Sequence, residues 1–346
     1  MKKIAAASFL YVAASITSAM PIGRTTIHQL LDQSPLVLKG TVVEVNEAAE
    51  TSSPWTFNMQ GTKTISATVE CAYVLKGAAP LLPVKVLFPY ISSDVPFVMP
   101  HEGATYLFFL ATDGATIKVV DPFNGAIPVL SGSEPESVAD PVTLLKSEFE
   151  KSLASPDPSV VLQALLALSE VGDESSLEKV NQLSNSANES VRAAACAVTL
   201  ALGAWDKAPE VVRFLNQRSQ PSGGIILSEA EQGLDTGALM RLLGRTSAPE
   251  AESIYVDLLR ETRNPYVLKE LLVAPCITSS KVAAPAVAQF LDNTNDDVAY
   301  AAYRALMTMK GSAYKAQHLF VREKLSISPG LKSWSTSLEE TNGAKP

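Results

Sequence analysis

The stretch Asp157-Pro158-Ser159-Val160 returns 31 residues later as Asn188-Glu189-Ser190-Val191. The same spacing separates Asn264-Pro265-Tyr266-Val267 from Asn295-Asp296-Asp297-Val298. A repeated unit of this length, made of two short helices, is typical of solenoids in which each unit packs on its neighbours. The repeat therefore predicts an α-α solenoid in the C-terminal half of the chain.

Apolar periodicity around the repeat places two helices in each unit. The first helices are predicted at 142–154, 174–184, 207–217, 248–261 and 279–292. The second helices are predicted at 158–171, 189–204, 236–244, 265–274 and 296–309. Three residues before each repeated Val stands an Asx residue, whose side chain accepts a hydrogen bond from the first helical turn. These four positions are Asp157, Asn188, Asn264 and Asn295.

Spacing, cap and apolar face together resemble HEAT-type repeats. Such repeats commonly carry Arg directly after the Val, and Arg192 fits that pattern. Val161, Leu268 and Ala299 stand at the same position and do not fit it, which argues against a continuous charge ladder. The third unit is interrupted by Ser219–Gly233, either a contact loop or a tolerated insertion.

The N-terminal half follows a different pattern. A short helix is predicted at 25–31, and strands at 36–45, 62–75, 84–88, 105–111, 115–120 and 126–130. Short strands between Gly, Pro and Asp turns favour a small antiparallel barrel or sandwich. The motifs Lys39–Val43, Val74–Gly77 and Gly103–Leu110 resemble the OB-like barrels related to netrin and tissue-inhibitor-of-metalloprotease modules in secreted bacterial proteins. Inhibitors of that family use an N-terminal cysteine, which is absent near Met20.

The predicted fold class is thus multidomain: an OB-like β-barrel followed by a HEAT-like α-solenoid. The domain boundaries are a signal peptide at 1–19, the barrel at 24–130, a linker at 131–141, the solenoid at 142–325 and a tail at 326–346. Lys2-Lys3, an apolar run and Thr17-Ser18-Ala19 are typical of a cleaved secretory signal, with an uncleaved N-terminal anchor as the alternative. We expect an extracytoplasmic location, in the periplasm or secreted, in a bacterium.

Composition limits the function classes. Hydrophobic residues make up 47% of the chain and charged residues 18%, which favours folded cores over general disorder. The formal net charge is −8, and neither half has the basic excess that nucleic-acid binding needs. Cys71, Cys196 and Cys276 are expected to be free and mostly buried thiols.

Residues with catalytic potential are few and scattered. The histidines are His28, His101 and His318, and His101-Glu102 lacks the second His of a zinc-protease helix. We expect no cofactor, no metal and no enzymatic activity.

The second helices predict a further surface. If each repeated Val faces the core, residues two, five and nine positions on lie on the opposite side. These positions are Leu162, Leu165, Ser169; Ala193, Cys196, Leu200; Lys269, Leu272, Cys276; and Tyr300, Tyr303, Met307. One interpretation is that neighbouring helices bury this side, and the other is an apolar groove for a partner. The partner-binding candidates are Tyr300, Tyr303, Met307 and Leu272, with Trp55 and Phe57 in a barrel loop.

Three functions remain open. The favoured one is a non-enzymatic binding or scaffold protein that offers barrel and solenoid surfaces to protein partners. The second is an accessory or lyase-like component, by analogy with HEAT-repeat enzymes. The third is a protease-inhibitor-like barrel protein.

Overall fold

The structure is a computed structural model of the 346-residue chain. It describes residues 25–47, 62–78, 80, 83–91, 99–114, 116–132, 140–218, 236–280 and 282–309. The chain divides between Ile127 and Pro128 into two compact units. The predictions for the signal, the insertion, the tail, Trp55 and Phe57 lie outside the described residues.

The first unit contains a closed barrel of five strands, preceded by a short helix. After helix α1 (Ile27–Gln33), the strands are β1 (Leu36–Glu47), β2 (Thr62–Lys76), β3 (Val84–Ile91), β4 (Thr105–Asp113) and β5 (Thr116–Val119), and β6 (Ala126–Pro128) lies beside β4. The order β1-β2-β3-β5-β4 closes because β1 also pairs with β4. The strand pairs differ in direction. The β3–β5 pair is parallel. The pairs β1–β2, β1–β4, β2–β3 and β4–β5 are antiparallel. The strand and helix predictions for this half are confirmed. The sheet is mixed, however, where the sequence predicted a purely antiparallel one.

Alternating residues of each strand fill the barrel. Phe108 lies in this core, with its ring centroid 6.3 Å from that of Phe88 and 5.6 Å from that of Tyr106. Leu38 and Val86 are also fully buried among the same cluster. Because side chains point to opposite faces with a period of two, this one apolar set specifies the register of all five strands.

Gly40 lies in β1 at a close approach to β2. A Cβ atom at this position would stand 2.5 Å from the Val69 Cγ1 atom and 2.8 Å from the Glu70 carbonyl oxygen. The register of the β1–β2 pair also shifts between Lys39 and Gly40. Glycine inside a strand marks such close approaches and bends, so Gly40 allows β1 to curve and pair on both sides.

The second unit is helical wherever the structure describes it. Its first helices are α2 (Pro141–Ser152), α4 (Glu174–Gln182), α6 (Ala208–Arg218), α8 (Glu252–Glu261) and α11 (Ala284–Ala288), with a four-residue helix α10 (Pro275–Thr278) before α11. Its second helices are α3 (Pro158–Val171), α5 (Glu189–Ala201), α7 (Thr236–Leu243), α9 (Pro265–Val273) and α12 (Asp296–Thr308). Each second helix packs on the next one, in the order α3, α5, α7, α9, α12.

The four predicted Asx caps are confirmed. The side chains of Asp157 and Asn264 accept a hydrogen bond from the N–H two residues on. Those of Asn188 and Asn295 accept from the repeated Val itself, at 3.1 and 3.2 Å. Each cap satisfies an amide that the helix leaves without an intrahelical partner, so it determines where the second helix begins.

The single helix predicted at 279–292 is wrong. The structure has α10, a turn, the short α11 and a 3-10 segment at Gln289–Asp292. The buried Ser280 hydroxyl accepts hydrogen bonds from the amides of Val282 and Ala283, which holds the turn. Pro285, near the start of α11, has no amide hydrogen and cannot lie in a helix interior.

An ion-pair network connects α2 with α4. The Lys146 ammonium lies 2.6 Å from an Asp173 carboxylate oxygen and 4.0 Å from Glu150. The Lys146 hydrogen bond, followed by that from Ser175, lowers the pKa of Asp173. Burial alone would raise the pKa of Glu150, but hydrogen bonds from Lys179 and Ser176 and the charges of Lys179 and Lys146 outweigh it and lower that pKa.

This network predicts a pH-dependent contribution to stability. Both carboxyl pKa values are lowered by folding, so the contribution is complete above the unfolded values and is lost as pH falls through the folded ones. Lys146→Met is expected to lower the free energy of unfolding at pH 7, and its deficit should shrink between about pH 5 and pH 2. Urea unfolding followed by circular dichroism measures the deficit, with Lys146→Arg as the charge-preserving control. A deficit equal at pH 7 and pH 3 would contradict the network's role.

The caps allow a second prediction. Asn188→Ala should lower the free energy of unfolding by about 1 kcal/mol, because an amide in the first turn of α5 loses its acceptor. Asn188→Ser keeps an acceptor and should retain most of that stability. Urea unfolding followed by circular dichroism measures both variants. Equal losses of unfolding free energy in the two would show that the hydrogen bond to Asn188 is not the cause.

Candidate partner-binding face

The structure separates the predicted partner residues. Leu272 is fully buried, Tyr300 and Tyr303 are half-buried, and Met307 is 37% exposed. Trp55 and Phe57 lie outside the described residues. Three of the candidates therefore reach the surface of α12, and Leu272 does not reach the surface of α9.

Helix α9 presents two exposed apolar side chains along one line. Tyr266 is 46% exposed and Val273 is 42% exposed, and they stand two helical turns apart. Lys269 lies between them on the same side, because residues three and four apart are neighbours on a helix. Counting two, five and nine positions on from Val267 reaches Lys269 but neither Tyr266 nor Val273.

Helix α12 continues the same surface. The Lys269 ammonium lies 3.2 Å from an Asp297 carboxylate oxygen, which aligns the exposed line of α9 with the N-terminal part of α12. Arg304 is exposed two turns beyond Asp297, and its guanidinium lies 6.0 Å from the centre of the Tyr300 ring. We call this surface the α9–α12 face, and it consists of Tyr266, Lys269, Val273, Asp297, Tyr300, Arg304 and Met307.

Val273 and Arg304 occupy the same position of the repeat, and among the described second helices this position is exposed only in α9 and α12. The positions equivalent to Val273 and Arg304 in the earlier second helices are Leu166, Ala197 and Leu242, all of them buried. In α5, residues 193–200 are buried without exception, as expected of a helix packed on several sides. The change from Leu166, Ala197 and Leu242 to Arg304 at this repeat position was visible in the sequence.

The charges of the face are mixed. Lys269 and Arg304 are balanced in part by Asp297. Glu270 lies next to the face on α9, where burial raises the pKa of its carboxyl against the lowering effect of Arg241 and Lys269. Such a surface offers aromatic, Arg and aliphatic contacts with charged groups around them, a composition enriched in protein interfaces.

The three cysteine thiols and the Tyr255 hydroxyl have raised pKa values. Burial raises the pKa of the Cys276 thiol to about 12 and also raises the pKa values of the Cys196 and Cys71 thiols. Burial likewise raises the pKa of Tyr255, whose hydroxyl donates to either the Leu243 carbonyl or the Thr246 hydroxyl. These three free thiols therefore stay protonated at neutral pH, whereas the nucleophilic form of cysteine is the thiolate.

The described residues contain no group of three or more His, Cys, Asp or Glu side chains arranged to hold a metal ion. In the same part of the chain, each helix is too short or too polar to cross a membrane. Compared with protein-family profiles and with curated proteins, the chain has no significant match.

The assignment of Tyr266 and Val273 to a surface predicts how substitutions affect stability. Tyr266→Ser and Val273→Ser should each change the free energy of unfolding by no more than about 0.5 kcal/mol. Leu271→Ala, in the same helix but fully buried, should cost about 2–5 kcal/mol. Urea unfolding of the three variants measures the difference, and a loss at Tyr266 comparable with that at Leu271 would place the face inside the core.

Proposed function

We propose that this protein is a non-enzymatic binding or scaffold protein that presents the α9–α12 face to a protein partner. The observation that carries the proposal is the exposure of Val273 and Arg304 at the position where the earlier second helices bury Leu166, Ala197 and Leu242. Tyr and Arg side chains dominate binding energy in protein interfaces, and Met adapts to irregular partners.

The helical unit of the proposal is a HEAT-like solenoid. Its support is the recurrence of the Asx cap 31 residues apart and the packing of each second helix on the next. A solenoid exposes long helix faces and is suited to binding extended surfaces. The OB-like identity of the barrel is supported by the closed strand order and by the parallel β3–β5 pair.

An extracytoplasmic location belongs to the same proposal. Its support is the sequence of residues 1–19, with two lysines, an apolar run and small residues at its end. We therefore expect the partner in the cell envelope. No described residue favours the lyase-like or the inhibitor-like alternative.

The test is capture of a partner by the full-length protein from an envelope extract. Tyr266→Ser combined with Tyr300→Ser should abolish capture, because it removes both aromatic side chains of the α9–α12 face. The control replaces two exposed residues of α4, Glu178→Ser with Asn181→Ser, and should leave capture unchanged.

Two further measurements make this test decisive. Circular dichroism and the urea midpoint must show that the double Tyr variant remains folded. A photo-crosslinking residue at position 273 should form a covalent adduct with the captured protein, and the same residue at position 178 should not. Undiminished capture by the double Tyr variant, or equal crosslinking at both positions, would overturn the proposal.

A further inference from the structure

A cleft of about 500 Å³ lies between α6 and the end of α8, and its lining includes no residue of the α9–α12 face. Its apolar wall consists of Pro209, Val212 and Leu258. This volume falls within the range of clefts that accept small ligands or single side chains.

Several polar side chains that line the cleft have no hydrogen-bond or ion-pair partner within the described part of the chain. The side-chain amides of Asn216 and Gln217 form no hydrogen bond there, and the Glu261 carboxylate forms no ion pair. Glu210, by contrast, is bound to Arg213 and lies 3.5 Å from Arg192. The guanidinium of Arg213 is thereby occupied, and Glu261 is left as the uncompensated charge of the cleft.

Thr262 contributes a buried hydroxyl to the lining of the cleft. It lines the cleft with only 4% of its surface exposed, and its hydroxyl oxygen is buried with no hydrogen-bond partner in the described structure. Its backbone N–H donates to the Leu258 carbonyl at 2.9 Å, so the residue is held at the end of α8. A buried hydroxyl without a partner carries a desolvation penalty, which a ligand that donates a hydrogen bond would relieve.

We infer that this cleft binds an aliphatic cation, the ammonium or guanidinium end of a Lys- or Arg-like group. The Glu261 carboxylate supplies the opposite charge, and the Thr262 hydroxyl and the amide oxygens of Asn216 and Gln217 accept hydrogen bonds from the cation. The aliphatic stem of the ligand lies against Val212 and Leu258. The same chemistry is offered by a basic side chain of a peptide and by a free polyamine.

An NMR titration of the isotope-labelled full-length protein tests the inference with three probes. They are a blocked Ala-Lys-Ala peptide, the same peptide with norleucine in place of Lys, and spermidine. We expect saturable shifts at the amides of Asn216, Gln217 and Thr262 with the Lys peptide or spermidine, and none with the norleucine peptide. Tighter binding of the Lys peptide assigns the site to a chain segment, and tighter binding of spermidine assigns it to a free polyamine.

Two variants locate the effect. Glu261→Gln should weaken cation binding about tenfold, because Gln keeps an acceptor oxygen but lacks the negative charge that strengthens its hydrogen bond to the cation. Thr262→Val should also weaken binding while leaving the thermal midpoint unchanged or raised, since the free protein loses only an unpartnered hydroxyl. Glu178→Gln, an exposed charge change on α4, is the matched control and should bind as the wild type does.

The inference is overturned by any of three results: equal binding of the norleucine peptide, equal binding by Glu261→Gln, or shifts confined to residues outside the cleft. A marked loss of stability in Thr262→Val would also overturn it, because the hydroxyl would then have a structural partner. These outcomes are independent of partner capture by the α9–α12 face, so each proposal can fail alone.

Discussion

The hydrogen bond from a first-turn amide to an Asn or Asp side chain is the constraint on which the helical unit depends. It recurs at Asp157, Asn188, Asn264 and Asn295 and sets the first residue of four second helices. Once the first residue is set, the 3.6-residue period determines which side chains face the neighbouring helix and which face outward. The exposed line from Tyr266 to Val273 and its continuation on α12 are therefore consequences of where these helices begin.

The barrel depends on a different constraint, the closure of a five-stranded sheet. Strand β1 pairs with β2 on one side and with β4 on the other, so it must curve while keeping its apolar residues inside. Gly40 permits the close approach to Val69, and the register shift beside it accommodates the bend. Closure removes exposed strand edges, which otherwise template pairing with other chains.

The proposed binding role rests on the side chains that the described helices expose. The buried thiols have raised pKa values, and the carboxyls with lowered pKa values serve in ion pairs between helices or in the cap of α2. The groups that remain available are of another kind: aromatic and charged side chains on α9 and α12, and oxygen acceptors in the α6–α8 cleft. Such groups can recognise a ligand by contact, charge and hydrogen bonding, as both proposals require.

Features that depend on local spacing could be predicted from the residues alone. Alternation predicted the strands, and the repeated Asx and Val positions predicted the second helices and their caps. The sequence also showed Arg304 at a repeat position that is Leu or Ala in the earlier second helices. Only the tertiary structure decided the parallel β3–β5 pair, the break before α11, the burial of Leu272 and the unpartnered hydroxyl of Thr262. The physical reason is that strand pairing, burial and hydrogen-bond satisfaction depend on residues far apart in the chain, whereas caps and periodicity depend on residues within one or two turns.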